Sequence, residues 1–99
     1  MSKRLKDIQA TAGEILLVVN NWTADAEKRG TTVSASTWTY SGAGTLSGAS
    51  LSNPLAHVNL APTCSGILAN TVTLADGEVL VGTRSVSVER LCSFNNSTI

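Results

Sequence analysis

This chain lacks charge through its middle. Between Arg29 and Asp76 there is no Asp, Glu, Lys or Arg, and His57 is the one histidine there. Charged residues make up 14% of the whole, where a soluble domain ordinarily carries about a quarter. In their place runs a neutral sequence of Ser, Thr, Gly and Ala, densest from Thr31 to Gly48 and continuing through Leu74. A face built this way holds no ion that must lose its water when another protein covers it. The composition points to an assembly component rather than an enzyme.

Other shortages narrow the class further. Trp22, Trp38, Tyr40 and Phe94 are the only aromatics, so the core must rest on Val, Leu, Ile and Ala, with the two tryptophans as its largest pieces. A formal net charge of zero argues against nucleic acid as a partner, because phosphate binding needs a basic face. No apolar run is long enough for a membrane span, and the basic start from Met1 to Lys6 leads into no apolar export signal. Folding in a cytosol is therefore expected, with Cys64 and Cys92 as reduced thiols and one bridge as the most they allow. A single histidine and that cysteine spacing fit no zinc pattern, so no metal or cofactor is expected. Catalysis finds no support: Cys64-Ser65-Gly66 lacks the nucleophile elbow, and Asp25 with Glu27 reads as a solvated pair.

What is present is strand signal. Ile15 to Val19 is a short apolar run with a β-branched end, read as a central strand covered on both faces. Asn20 to Gly30 reads as a loop with about one helical turn, capped by Thr23 and stopped by Gly30. Thr31 to Tyr40 is a strand in which Val33 and Trp38 have opposite parity, so a β-bulge near Ser36 is expected to turn both inward. Gly42, Gly44 and Gly48 separate two short segments before Pro54, and Leu55 to Leu60 alternates with Ala56, Val58 and Leu60 on one face. Ile67 to Leu74 and Val79 to Val88 flank the Asp76-Gly77 hairpin turn, with Gly82 as the natural bulge of the second strand.

About seven short strands with at most one short helical turn predict an all-β fold, an antiparallel immunoglobulin-like β-sandwich, with a small barrel as the alternative. The chain reads as one domain over residues 1–99 with flexible arms at 1–6 and 91–99. The expected core is Leu17, Val19, Val33, Trp38, Val58, Leu60, Leu68, Asn70, Val72, Val86 and Val88. Asn70 shares parity with Leu68 and Val72, so it is expected to point inward and to be hydrogen-bonded there. Candidate interface residues are Trp22, Thr32, Ser34, Ser36, Tyr40, His57, Asn59 and Arg84. Of these, Trp22 sits at a strand end, and Arg84 is free to pair with Glu14 or Asp7 or to anchor a partner carboxylate.

The motifs also stand in a familiar order. An apolar strand ends at Asn21-Trp22, and a polar loop leads to Val33-Ser34-Ala35-Ser36-Thr37-Trp38-Thr39. A Gly-rich turn, the Val58-Asn59-Leu60 strand, Asn70-Thr71-Val72-Thr73 with Ala75-Asp76-Gly77, and Arg84-Ser85-Val86-Ser87-Val88 follow. Over roughly residues 7 to 90 this resembles the fiber-tail adaptors of tailed bacteriophages, small single-domain β-sandwich virion proteins. It departs from them at Gly66, where the family usually has an aromatic, and at Asn20 and Asn21, where acidic residues are common.

The resemblance implies a structural protein that joins tail fibers to the tail or neck. Its partners would be other virion proteins (a neck adaptor or nozzle and a tail fiber), with repeated copies in a ring at the virion tail, assembled in the host cytoplasm. Nucleic acid and membrane are not expected partners. The alternatives are a capsid decoration protein bridging shell subunits, and a carbohydrate-binding sandwich that stacks sugars on Trp22 and Tyr40. Contact would be made by a sheet edge that pairs with a partner strand or by a Ser/Thr face that packs against it.

Overall fold

The computed structural model describes residues 2–88. Its elements are β1 (Ser2–Arg4), β2 (Ile8–Ala10), β3 (Leu16–Asn21), α1 (Thr23–Lys28), β4 (Val33–Tyr40), β5 (Gly44–Ser52), β6 (Leu55–Pro62), β7 (Gly66–Leu74) and β8 (Val79–Val88). The fold is all-β with one short helix. It is two sheets rather than a closed barrel, so the barrel alternative is set aside. One sheet runs β3-β6-β5, antiparallel throughout. In the other, β4, β7 and β8 are antiparallel neighbours, and β1 and β2 lie end to end along the far side of β8, parallel to it.

The sheets face each other across an interior built by alternation. On β6, Ala56, Val58 and Leu60 are fully buried while His57 and Asn59 are half-buried on the other face. Across the gap stand Leu68, Val72 and Leu74 of β7 with Leu80 and Val86 of β8. One cluster gathers around Trp22, the other around Leu60 and Leu68, and Trp38 packs against both. Each fully buried Val or Leu contributes about 1.5–3 kcal/mol relative to exposure.

The β7–β8 hairpin forms where Asp76-Gly77 places it. Gly77 takes φ +95° and its N–H donates to the Leu74 carbonyl at 2.9 Å, while the Glu78 N–H donates to Asp76 Oδ1 at 3.0 Å. The register runs unbroken from Thr73 opposite Val79 to Gly66 opposite Val86. Gly82 is therefore no bulge; it pairs in register with Asn70 and faces inward. A Cβ there would lie 2.8 Å from Leu5 Cδ1 and 3.0 Å from the Trp22 ring, so the glycine makes room for the indole. Val79 and Val81 consequently sit on the outer face, and Leu80, Gly82, Arg84 and Val86 on the inner one.

The bulge expected in β4 is present but lies earlier, where the register shifts between Val33 and Ala35. It brings Val33, Ser36, Trp38 and Tyr40 to the inner side. A second shift, between Ser47 and Ser50, joins the two short segments after Gly42 into the single strand β5. The helix is six residues long and begins at Thr23, with Trp22 rather than Thr23 at its N-cap. The Asn21 side chain does the capping work, since its Oδ1 accepts from the Thr23 N–H at 2.9 Å and from Thr23 Oγ1 at 2.5 Å. Gly30 ends the segment at φ +65°.

The largest departure concerns β3. Among the described residues it is an edge strand with one neighbour, not a central one. Leu17 and Val19, expected in the core, point outward at 67% and 38% exposure, whereas Val18 and Asn20 are buried. Residues 2–4 belong to a paired strand, although they were expected within an arm, and the other expected arm, 91–99, lies outside the described residues. Lys3 binds Asp25 at 2.5 Å and stands 4.7 Å from the Trp22 ring centroid, and Leu5 N–H donates to the Thr83 carbonyl at 2.6 Å.

Candidate functional site: a buried polar clamp between two uncharged faces

Four side chains that sequence reasoning treated separately meet between the sheets. Asn70 is completely buried on β7, in the middle of its strand. Its Oδ1 accepts from Trp22 Nε1 at 2.9 Å and from Asn20 Nδ2 at 3.1 Å. Its Nδ2 donates to Ser36 Oγ at 2.8 Å and to the Thr37 carbonyl at 2.9 Å. The amide therefore uses both lone pairs and both protons, which is what makes a buried Asn affordable. In doing so it ties β3 and the start of α1 to β4.

Arg84 extends the network toward the rim. From the inner face of β8 its Nε and Nη2 reach Asn20 Oδ1 at 2.9 and 2.7 Å. Nη1 donates to the Lys6 carbonyl at 2.9 Å and Nη2 to the Val19 carbonyl at 3.2 Å. Burial pushes its pKa below the usual arginine value, and no carboxylate takes part in these bonds. Neither Glu14 nor Asp7 is its partner: Asp7 binds Arg4 at 3.2 Å, and Glu14 Oε1 accepts from the Thr11 N–H. Arg84 is thus a rivet between the sheets.

The eight candidate interface residues do not form one surface. Trp22 is 1% exposed and belongs to the core, so its reading as a contact residue is corrected. Ser36 and Arg84 are committed to the polar network. Tyr40 is half-buried and its hydroxyl donates to the Cys64 carbonyl, with burial pushing its pKa up. Trp22 thereby offers no ring face to a sugar, which removes one of the two stacking platforms. Thr32 is exposed beside α1, and exposed Ser34 donates to the Thr73 carbonyl at 3.0 Å. His57 and Asn59 do share a face, the outer side of β3-β6-β5, where His57 Nδ1 lies 3.3 Å from Ser50 Oγ. Trp38 Nε1 is buried without a hydrogen-bond partner among the described residues.

Cys64 is disulfide-bonded, which corrects the expectation of reduced thiols. The chain has one other cysteine, Cys92, which lies outside the described residues. Among the described residues no three of His, Cys, Asp and Glu gather as a metal-binding group, and no helix is long and apolar enough to cross a membrane.

The charge-free middle of the sequence is divided between two surfaces, each completed by residues from outside it. On the outside of β3-β6-β5 lie Leu17 and Val19, then Leu55, His57, Asn59 and Ala61, then Thr45, Ser47, Ser50 and Ser52. On the outside of β4-β7-β8 lie Ala35, Thr37 and Thr39, then Ile67, Ala69, Thr71 and Thr73, then Val79, Val81, Thr83 and Ser85. No residue of these six strands on either surface is Asp, Glu, Lys or Arg, and Arg4 of β1 stands beside Thr83 at the margin of the second. The residues that sequence reasoning missed are Ile15, Leu17 and Val19 as outward-facing groups, exposed by 73%, 67% and 38%. The signal that would have placed them is Trp22: it shares parity with Val18 and Asn20, so a core tryptophan sets the phase of the whole strand. No protein-family model, curated protein or solved structure matches this chain.

Proposed function

We propose that this chain is a structural virion protein of a tailed bacteriophage, a fiber-tail adaptor used in repeated copies to join tail fibers to the tail or neck. The observation that carries the reading is the pair of outer faces on β3-β6-β5 and β4-β7-β8, whose own residues include no Asp, Glu, Lys or Arg, one hydroxyl-rich and one with an apolar margin. Surfaces of this kind lose little when covered, and many weak copies on a symmetric ring add up through avidity.

Strand order supports an immunoglobulin-like assignment. In that fold the second, fifth and fourth strands share one sheet, and the third, sixth and seventh the other. With β1 and β2 taken as one interrupted first strand, β3-β6-β5 and β4-β7-β8 follow the same order. The first strand differs in lying beside the last.

The test is localisation on purified particles, by labelling with an antibody against this chain and by reconstruction of the particle. Density confined to the tail, between neck and fiber, is expected. A lattice of copies over the shell would replace the adaptor reading by capsid decoration, and absence from the particle would refute both.

A further inference from the structure

The two sheets offer four edges, and three of them are guarded. The β1/β2 edge carries Lys3, Arg4, Lys6 and Asp7. The β4 edge is broken by the shift between Val33 and Ala35, and the β5 edge by the shift between Ser47 and Ser50, with Gly48 at φ +61°. Charges and bulges of these kinds are how sheet proteins block strand addition. Among the described residues β3 itself has none of them. It runs Leu16-Leu17-Val18-Val19-Asn20-Asn21 in unbroken register with β6, without charge, proline or bulge.

Backbone polar groups of this edge also face away from β6. The Val19 carbonyl is the group that Arg84 Nη2 reaches from the opposite sheet, so it points away from β6. Backbone direction alternates along a strand, which aims the N–H and C=O of Leu17 the same way as those of Val19. The carbonyl keeps a second lone pair for another donor. The outward side chains of the same two residues, with Ile15 beyond them, form the exposed apolar margin.

We propose that β3 pairs antiparallel with β3 of a second copy of this chain, about a two-fold axis at Val18, extending each three-stranded sheet into one of six strands. An isologous contact must be complementary to itself, and this register meets that condition. Leu17 of one copy faces Val19 of the other on the outer side, Leu16 faces Asn20 on the inner side, and Ile15 faces Asn21. Every one of these facing residues is neutral, so the strand pairs themselves set no like charges opposite each other, and the nearest charge to the axis is Arg84 on the Val19 carbonyl. Three apolar side chains and one short strand edge per copy cover less than the roughly 1,200 Å² of a stable interface. The pairing is accordingly weak and concentration-dependent, and it becomes persistent only where copies are already gathered. It does not depend on a virion role and fails or stands separately from it.

Sedimentation velocity of the full chain from micromolar to millimolar concentration tests this, together with Leu17→Lys, Val19→Lys and, as a control on the opposite sheet's outer face, Thr37→Lys. The wild type and T37K should shift from monomer toward dimer as concentration rises, while L17K and V19K stay monomeric. A wild type that remains monomeric at millimolar concentration overturns the proposal, as does a dimer that L17K leaves intact. A second reading needs no variant: hydrogen exchange at the Leu17 and Val19 amides should slow as wild-type concentration rises. Protection of those amides only on adding a different virion protein would overturn the second copy in favour of a foreign strand.

Discussion

Replacing Asn70 by alanine removes the one group that holds four others. Trp22 Nε1 and Asn20 Nδ2 would lose their acceptor, and the Thr37 carbonyl and Ser36 Oγ their donor, at a site with no exposure. A buried polar group left unpaired costs about 1–3 kcal/mol. The two orphaned donors are the severe losses, because Ser36 is half-buried and keeps access to water. The expected cost is therefore about 3–5 kcal/mol, a large share of the roughly 5–15 kcal/mol that a domain has in total. Urea unfolding followed by tryptophan fluorescence should show the midpoint falling by roughly 2 M, given slopes of about 1–3 kcal/mol/M for small domains. Asn70→Asp separates the two halves of the network, since it retains the acceptor for Trp22 while losing the donor to Ser36 and Thr37. A loss below about 1 kcal/mol for N70A would refute the claim that this amide organises the interior.

Other substitutions probe the same interior. Gly82→Val should cost about 1–3 kcal/mol in urea unfolding by overpacking against Leu5 and the Trp22 ring, and a change within about 0.5 kcal/mol would show that the indole yields easily. Arg84→Met leaves the Asn20 side chain and the Lys6 and Val19 carbonyls without this donor, and should cost about 1.5–3 kcal/mol by the same assay. Arg84→Lys should recover only part of it, because one ammonium cannot span three acceptors in the fork geometry. Tyr40 is the only tyrosine, and burial raises its pKa above 10.0. Its contribution should be complete below the unfolded value and disappear as pH rises through the folded one. Phenolate absorbance should titrate above 10.0, and Tyr40→Phe should flatten the alkaline limb of the stability curve.

Several elements were legible because local chemistry decides them. Asp76-Gly77 forces a hairpin whatever surrounds it, and the strict alternation of Leu55 to Leu60 leaves one parity to bury. The opposite parities of Val33 and Trp38 revealed a bulge in β4, though placing it at Ser34 required the register against β7. The phase of β3 is hidden within the strand, because Leu16 to Val19 is apolar on both sides and Asn20 reads as a surface residue, which leaves the parity shared with Trp22 as its one guide. Asn20 is buried because Asn70 and Arg84, distant in sequence, satisfy its amide. The inward turn of Arg84 escaped for the same reason. In both cases tertiary partners overrode a local preference, and only the fold brings those partners together. β1 and β2 went unread because three-residue strands carry no period of their own.

Parallel pairing of β1 and β2 with β8 has a consequence for synthesis. β1 and β2 are made before β8, the strand they pair with, so they wait unpaired while the strands between are made. Closing a contact of such sequence separation is slow, and until it closes Gly82 and Trp22 have no Leu5 or Lys3 beside them. The pairing of β1 and β2 with β8 therefore closes late, and it is this pairing that brings Leu5 and Lys3 to the interior around Trp22.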